Sequence, residues 1–268
     1  MCVTAGVANI SDTETYVYAT DLGDGPVHVC GYQNRAQTLT GGNAMFLNFA
    51  GSNLRVVRGP ENTRNFMRAM TYRLPTLAPS LRSRGMIPKG GPSIRVEQYG
   101  DYDLVLAQGP GDILSALGQV SPQRRPADTR SLREMIGFYM SFYPEDSFVL
   151  ACWDGVAKPT HPITVSYRPR NASVLTIPGL DGHDGRTPVI GAPVMRNFHV
   201  AFALQEVKLP LEVRYGQEGI TGQPWAPASV TGFVDNRPAG PNGDYIIPVK
   251  AVRKGLLGAN LAKHLVTP

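Results

Sequence analysis

The chain has 268 residues, of which 42% are hydrophobic and 18% are charged, with a formal net charge of +5. This apolar content is enough to build a core, and it excludes a disordered or strongly solvated chain. Gly (29) and Pro (23) are spread among short apolar runs without a collagen-like period, which predicts many short strands joined by turns.

Alternation of apolar and polar residues, with enrichment in β-branched residues, predicts strands along most of the chain. They are expected at 2–10, 15–21, 26–33, 43–49, 94–98, 102–107, 147–152, 161–168, 173–177, 196–205, 209–214, 229–234 and 245–249. Helices are expected at about 61–73, 111–117 and 131–143. In the third helix, Ser131 and Glu134 have the spacing of a capping box, and Pro144 ends the helix. The predicted fold class is α+β, a mostly antiparallel sheet with about three helices.

Two stretches rich in Pro and Gly, 75–92 and 216–244, are predicted to be long irregular arms that become ordered by contact with a partner. The first arm is basic, and the second offers a tryptophan as an apolar anchor. The partners expected are other subunits of an oligomeric assembly. The predicted partner-binding residues are Arg82, Arg84, Lys89 and Trp225.

The basic charge is concentrated between residues 55 and 89, a segment that contains several arginines and one lysine but a single acidic residue, Glu61. Such an excess suits phosphates, an acidic partner or an anionic membrane surface. The alternative is a solvated helix face with arginines paired to distant carboxylates. No stretch approaches the roughly 18 apolar residues of a membrane helix, so no membrane span is predicted.

The three cysteines, Cys2, Cys30 and Cys152, are too few and too scattered for a disulfide framework or a structural zinc site. They indicate a reduced, cytoplasmic protein, or a virion protein if the chain is encoded by a phage. No cofactor and no metal are expected.

Cys2 is the candidate nucleophile. Removal of Met1 would leave it with a free α-amino group that can act as general base for its own thiol, as in N-terminal-nucleophile hydrolases. The alternative is a small apolar residue that starts a strand.

The stretch GLDGHDGRTP, residues 179–188, packs Asp181, His183 and Asp184 between glycines. These side chains are of metal-ligand types, but the stretch has neither the ligand spacing of a calcium loop nor the serine elbow of a nucleophilic triad. Glycines that permit positive φ and aspartates that bond turn amides favour a structured turn. A metal site and a catalytic role stay open as alternatives.

The runs MCVT, VCGYQNRAQ, GGNAMFLNF, VEQYGDYDLVLA, FYPEDSFVLACW and SYRPRNASVLTIPGLDGHDG occur in this order. Together they resemble a family of bacterial and phage-associated proteins of unknown activity, over roughly residues 1–190. The resemblance implies a main domain at 1–190 that includes the GLDGHDG stretch. Residues 191–268 are then expected to form a β-rich extension packed on it.

Because no complete catalytic set is present, the predicted function is a non-enzymatic structural or interaction protein, a component of a virion or other large assembly. The alternative is an amide hydrolase of the N-terminal-nucleophile type that uses Cys2.

Overall fold

The computed structural model describes residues 2–38, 41–59, 65–77, 94–155, 158–216 and 219–265. The strands in these residues are β1 (Val3–Thr4), β2 (Ala8–Asp21), β3 (Pro26–Thr38), β4 (Asn43–Phe49), β5 (Gly51–Val56), β6 (Ile94–Tyr99), β7 (Tyr102–Ala107), β8 (Ser147–Trp153), β9 (Lys158–Pro159), β10 (Ile163–Pro169), β11 (Val174–Ile177), β12 (Pro193–Val194), β13 (Phe198–Leu204), β14 (Leu211–Glu212), β15 (Ser229–Asp235), β16 (Gly240–Pro241) and β17 (Tyr245–Pro248). The α-helices are α1 (Phe66–Thr71), α2 (Ile113–Ala116), α3 (Thr129–Phe142), α4 (Val249–Val252) and α5 (Ala259–Ala262).

The strands form two large sheets. A five-stranded sheet has the order β1-β4-β8-β7-β6, and an eight-stranded sheet has the order β14-β15-β13-β2-β3-β10-β5, with β9 beside β3. Two small sheets pair β11 with β17 and β12 with β16. Neighbouring strands in these sheets are antiparallel, except that β13 runs parallel to β2. The prediction of a β-rich, mostly antiparallel fold is confirmed.

The five-stranded sheet is the middle of three layers. In β4, Met45 and Leu47 belong to a core shared with the eight-stranded sheet, whereas Ala44 and Phe46 belong to a second core shared with α3. Strand β8 is buried along its whole length, because it lies inside this sheet and both of its faces are covered. This explains why its sequence, SFVLACW, is a continuous apolar run rather than an alternating one.

Helix α3 covers the outer face of the five-stranded sheet. Leu132, Met135, Ile136 and Tyr139 recur at helical spacing and are buried, and the Tyr139 ring stacks on a strand phenylalanine at 5.0 Å between ring centroids. The helix was expected, but its N-cap differs from the predicted Ser131. The side chain of Asp128 caps it, accepting from the backbone N–H groups of residues 130 and 131, so the helix begins two residues earlier.

The predicted helix count of about three is too low, since five α-helices occur in the described residues. The additional helices, α4 and α5, are four residues long each. A single turn of helix is too short to leave a hydrophobic periodicity in the sequence.

The two predicted arms differ in how much of them the structure describes. Of the first arm, 75–92, the described part is 75–77, so Arg82, Arg84 and Lys89 lie outside the described residues. The described part of the second arm, residue 216 and 219–244, contains strand β15 of the eight-stranded sheet. The boundary proposed at residue 190 stays a prediction, and β13, from beyond it, pairs with β2. No helix in the described ranges has the length and apolar character to span a membrane.

Candidate functional site

The stretch GLDGHDG lies beside the first described residues of the chain. Val3 forms a parallel bridge with Gly182, and the Gly182 N–H donates to the carbonyl of Cys2 at 3.1 Å. The Thr4 N–H in turn donates to the carbonyl of Gly182 at 2.8 Å. The stretch is therefore more than a turn, because it extends the five-stranded sheet beyond β1 and brings residues far apart in sequence side by side.

Three polar side chains meet at this contact: the Cys2 thiol, the His183 imidazole and the Asp181 carboxylate. His183 Nε2 lies 3.0 Å from Asp181 Oδ1, and these side chains are 21% and 15% exposed. Cys2, 2% exposed, is among the groups that raise the pKa of His183. A thiol, an imidazole and a carboxylate therefore lie close together at this point of the fold.

The charge state of His183 follows from its neighbours. Burial by itself lowers the pKa of His183, but the neighbouring Asp181 and Cys2 side chains outweigh burial and raise this pKa to about 9. An ordinary histidine has a pKa near 6.5. His183 is therefore an imidazolium at neutral pH, held between a carboxylate and a thiol.

Asn242 and Asp244, in the C-terminal part of the chain, hold the residues that carry this site. The Asn242 side chain accepts from the Asp181 N–H and donates to the Asp181 carbonyl, both at 2.8 Å. An Asp244 carboxylate oxygen accepts from the N–H groups of Gly179 and Leu180 at 2.8 and 3.3 Å. Four backbone groups of the stretch are thereby fixed.

Arg196 fixes the same stretch from the other side. It is 2% exposed, and it donates to the carbonyls of Gly179 at 2.5 Å and Gly243 at 3.2 Å, and to that of Pro241. Its guanidinium lies 5.4 Å from the centroid of the Tyr245 ring. A buried cation without a carboxylate among these partners is unusual, and here carbonyl oxygens and an aromatic face stabilise it.

Asp244 is also half of a buried acid pair. Asn48 Nδ2 donates to Asp146 at 3.1 Å and to Asp244 at 2.9 Å, and an Arg170 N–H donates to Asp146 at 2.6 Å. Burial raises the pKa of Asp244 to about 6, and the neighbouring Asp146 adds to this effect. Burial likewise raises the pKa of Asp146.

The turn expected in residues 179–188 is present, but one residue differs. Gly185 has φ +76°, and Asp184 Oδ1 accepts from the Arg186 N–H at 3.0 Å, as in an Asx turn. Gly182, which was expected to need positive φ, does not adopt it. It is the residue that pairs with Val3, so its backbone is extended like that of a strand.

Among the predicted partner-binding residues, Trp225 is the one that the structure describes. It is 6% exposed, its ring contacts that of Phe66 at 5.5 Å, and its carbonyl accepts from the Tyr16 hydroxyl at 3.3 Å. The second arm therefore places its tryptophan in the core and not on the surface.

The sequence singled out Cys2 and the GLDGHDG stretch separately and did not join them. Their juxtaposition depends on a parallel bridge between residues 3 and 182, for which a single sequence carries no local signal. Arg196, Asn242 and Asp244 were missed as well, since nothing in the neighbouring sequence marks these polar side chains as buried. A cleft of about 390 Å³ lies elsewhere, lined by Gln98, Tyr99, Gly100, Ser121, Gln123, Arg124 and Asp154.

No metal site is formed in the part of the chain that the structure describes: no three His, Cys, Asp or Glu side chains come together in a way that could hold an ion. The contacts of His183 are instead those of a protonated side chain.

Comparison with known proteins gives similarity in structure alone. No family model matches the chain, and no curated protein matches it in sequence. It is similar to baculovirus P35, with a TM-score of 0.42 and 12% identity over 99% of each chain. A mutated baculovirus P35 after caspase cleavage gives 0.44 and 12%, over 95% of this chain and 99% of that one. P35 in the caspase-8/P35 complex gives 0.41 and 12%, over 95% and 96%.

These comparisons overturn the predicted function. The similar chains are P35 free, after caspase cleavage and in a complex with caspase-8. The prediction of a structural component of a virion or other assembly is therefore wrong, while the catalytic role considered for Cys2 is not tested by them. The comparisons support neither a phage association nor assembly subunits. This chain is similar to a viral protein that forms a complex with a protein partner.

Proposed function

We propose that the protein binds a protease and inhibits it, with residues 78–93 presented to the enzyme in the manner of a substrate. A protease is the first class of partner to test because P35 forms a complex with caspase-8. The proposal for this chain rests on its own residues, namely the two ends of the segment and its sequence.

The observation that carries the proposal is that both ends of the segment are anchored on the folded core. Before it, the Leu77 N–H donates to the Val234 carbonyl, and the Val234 N–H donates to the Pro75 carbonyl, both at 2.7 Å. After it, Ile94 starts β6 and pairs with Ala107 of β7. One end belongs to the eight-stranded sheet and the other to the five-stranded sheet.

The sequence between the anchors suits a protease with an acidic pocket. Residues 78–93 read APSLRSRGMIPKGGPS and contain no Asp or Glu. Arg82 is followed by Ser83, and Arg84 by Gly85, so each arginine has a small residue after it. A guanidinium forms bidentate pairs with carboxylates at the bottom of such a pocket.

Anchored ends explain how a cleaved segment can inhibit. When a protease cuts a free peptide, the two products diffuse apart. When both new ends stay attached to one core, they remain at a high effective concentration near the enzyme, and release is slow. The three free cysteines suit an intracellular partner, so we place this inhibition in the cytoplasm.

The test is inhibition of a panel of purified proteases, in which arginine-specific cysteine proteases and trypsin are compared with enzymes that cut after acidic residues. We expect slow, near-stoichiometric inhibition of an arginine-specific enzyme, with cleavage after residue 82 or 84 seen by mass spectrometry. Arg82→Ala with Arg84→Ala should reduce inhibition at least about tenfold, while Arg253→Ala, an exposed arginine outside the segment, should leave it unchanged.

Two outcomes contradict the proposal. In the first, an arginine-specific protease cuts the segment and turns over normally, which makes the chain a substrate. In the second, inhibition survives the loss of both arginines, which places the contact elsewhere on the molecule.

A further inference from the structure

The cleft of about 390 Å³ lies at one end of the five-stranded sheet. Three neighbouring strands meet the cleft there: β6 ends at Tyr99, β7 begins at Tyr102 and β8 ends at Trp153. Its other wall is the loop that contains Ser121 and Arg124. The cleft is thus built from segments that are distant in sequence and held together by the sheet.

A buried carboxylate anchors the loop to the sheet. Asp103, in β7, is 1% exposed, and it accepts hydrogen bonds from the Ser121 N–H at 2.7 Å, from the Ser121 hydroxyl, and from Arg124 at 3.0 Å. Burial alone would raise the pKa of Asp103, but these hydrogen bonds outweigh burial and hold this pKa below its ordinary value. Asp103 is therefore ionised at neutral pH and fixes the position of the Arg124 guanidinium.

The loop has its shape before any ligand arrives. The N–H groups of Arg124 and Arg125 both donate to the Ser121 carbonyl at 3.0 Å. The Arg125 side chain donates to the carbonyls of Gly118 at 3.1 Å and Val120 at 2.9 Å. Because the loop is already ordered, a ligand that binds against it loses little free energy in ordering the protein.

Two opposite charges lie side by side in the mouth of the cleft. Arg124 Nε is 3.7 Å from Asp154 Oδ1, and these side chains are 26% and 52% exposed. This distance is longer than a hydrogen bond, so both groups keep hydrogen-bonding capacity toward solvent. Gln98 and Gln123 also line the cleft, and each carboxamide brings one acceptor oxygen and two donor hydrogens.

We propose that this cleft binds a small zwitterion of the α-amino-acid class, with its carboxylate on Arg124 and its ammonium on Asp154. An α-amino acid carries its two charges on adjacent atoms, as the mouth of the cleft does with the opposite signs. A simple anion would meet the Asp154 carboxylate, and a simple cation would meet the guanidinium, so either is disfavoured by like charge. The site is independent of the protease contact proposed above.

The rest of the lining selects the side chain of the ligand. The cleft has a volume within the range of about 300–1,000 Å³ that is usual for small-molecule sites, but its walls offer carboxamides in place of the usual apolar surface. Gln98 and Gln123 would pair best with a side chain that both donates and accepts. We therefore take glutamine as the probe.

The test is a titration of the intact protein with L-glutamine, followed by the backbone amide shifts in a ¹H–¹⁵N NMR spectrum. We expect saturable shifts at residues 98–100, 121–124 and 154, with a Kd of about 1 mM. N-acetyl-glutamine has no ammonium and glutaminamide has no carboxylate. Each analogue should bind at least about tenfold more weakly, because it loses one charge-assisted contact.

Asp154→Asn should weaken glutamine binding about tenfold, and because Asp154 is half exposed, this variant keeps the fold. The matched control is Asp24→Asn, since Asp24 lies 3.5 Å from Arg55 in an exposed ion pair of the same kind that does not line the cleft. It should leave the Kd unchanged. The proposal is overturned if glutamine gives no saturable shifts, if either one-charge analogue binds as well as glutamine, or if Asp154→Asn binds like the unmodified protein.

Discussion

Two buried polar clusters adjoin the stretch that contains Gly179 and Leu180. They differ in whether their titratable groups are favoured in the charged or the neutral form. In the cluster of Cys2, Asp181 and His183, opposite charges in contact favour the ionised imidazole in spite of burial. In the pair of Asp146 and Asp244, burial and like charge favour the neutral acid. Burial therefore does not decide the direction by itself: the neighbours of His183 outweigh it, whereas burial is the largest cause of the shift at Asp244.

Arg196 holds the backbone next to both clusters, because it donates to the carbonyls of Gly179, Pro241 and Gly243. Replacing Arg196 by Met removes the donor to three carbonyls and leaves these buried oxygens without it. We expect a loss of about 3–5 kcal/mol in the free energy of unfolding. The reason is that the carbonyl oxygens, which are shielded from water, would lose their hydrogen-bond donor. Urea unfolding measures this loss, with Arg253→Met as the surface control. A loss below about 1 kcal/mol would show that the carbonyls find other partners.

The pH dependence of stability separates the clusters. The folded-state pKa of His183 is raised from 6.5 to about 9, so its contribution is fully present below pH 6.5 and is lost as the pH rises through 9. The pKa of Asp244 is raised from 3.8 to about 6, so its contribution is present below pH 3.8 and is lost as the pH rises through 6.

Each window should account for on the order of 1–3 kcal/mol. The free energy of unfolding, measured between pH 4 and pH 10, should therefore include two separate falls, one from each cluster. His183→Gln should abolish the upper step and Asp244→Asn the lower one. If either variant removes both steps, the two clusters titrate as one unit and the contrast between them fails.

The smallest expected effect lies in the turn that closes the His183 stretch. Gly185 has φ +76°, a conformation in which a side chain costs about 1–2 kcal/mol. Gly182 has an extended backbone and room for a methyl group, whose nearest neighbouring atom would lie at 3.6 Å. Gly185→Ala should lower stability by about 1 kcal/mol, and Gly182→Ala should change it by less than about 0.5 kcal/mol. Thermal unfolding of the two variants measures this difference. A larger loss of stability in Gly182→Ala than in Gly185→Ala would show that the turn tolerates a side chain better than the residue paired with Val3.

Local patterns predicted the regular parts of the fold. The spacing of Leu132, Ile136 and Tyr139 was sufficient for α3, because helical periodicity is written within a few residues. Two separate strands were expected at 2–10 and 15–21, but the structure has the single long strand β2 with a bulge-like register shift between Ser11 and Glu14, where Asp12 takes φ +50°. Turn and bulge use the same residue types, so the sequence does not separate them.

The site itself was beyond the reach of local patterns. Cys2 and His183 meet because strands distant in sequence are neighbours, and Arg196 is buried because carbonyls from two segments converge on it. Buried charges are rare enough that an arginine in a loop is normally assigned to the surface. Trp225, a tryptophan between prolines that was predicted to bind a partner, packs in the core of this chain.

The parallel pairing of β13 with β2 also has a consequence for how the chain folds. Residues 198–204 lie between β15 and β2 in the finished sheet, so one edge of β2 stays bare until the ribosome has released the last third of the chain. Pairing over such a sequence separation is slow, because the entropy of closing the loop is lost before the stabilising strand contacts form. During synthesis, β2 is therefore an unprotected edge, and this is the stage at which nascent chains are most exposed to aggregation and to chaperone binding.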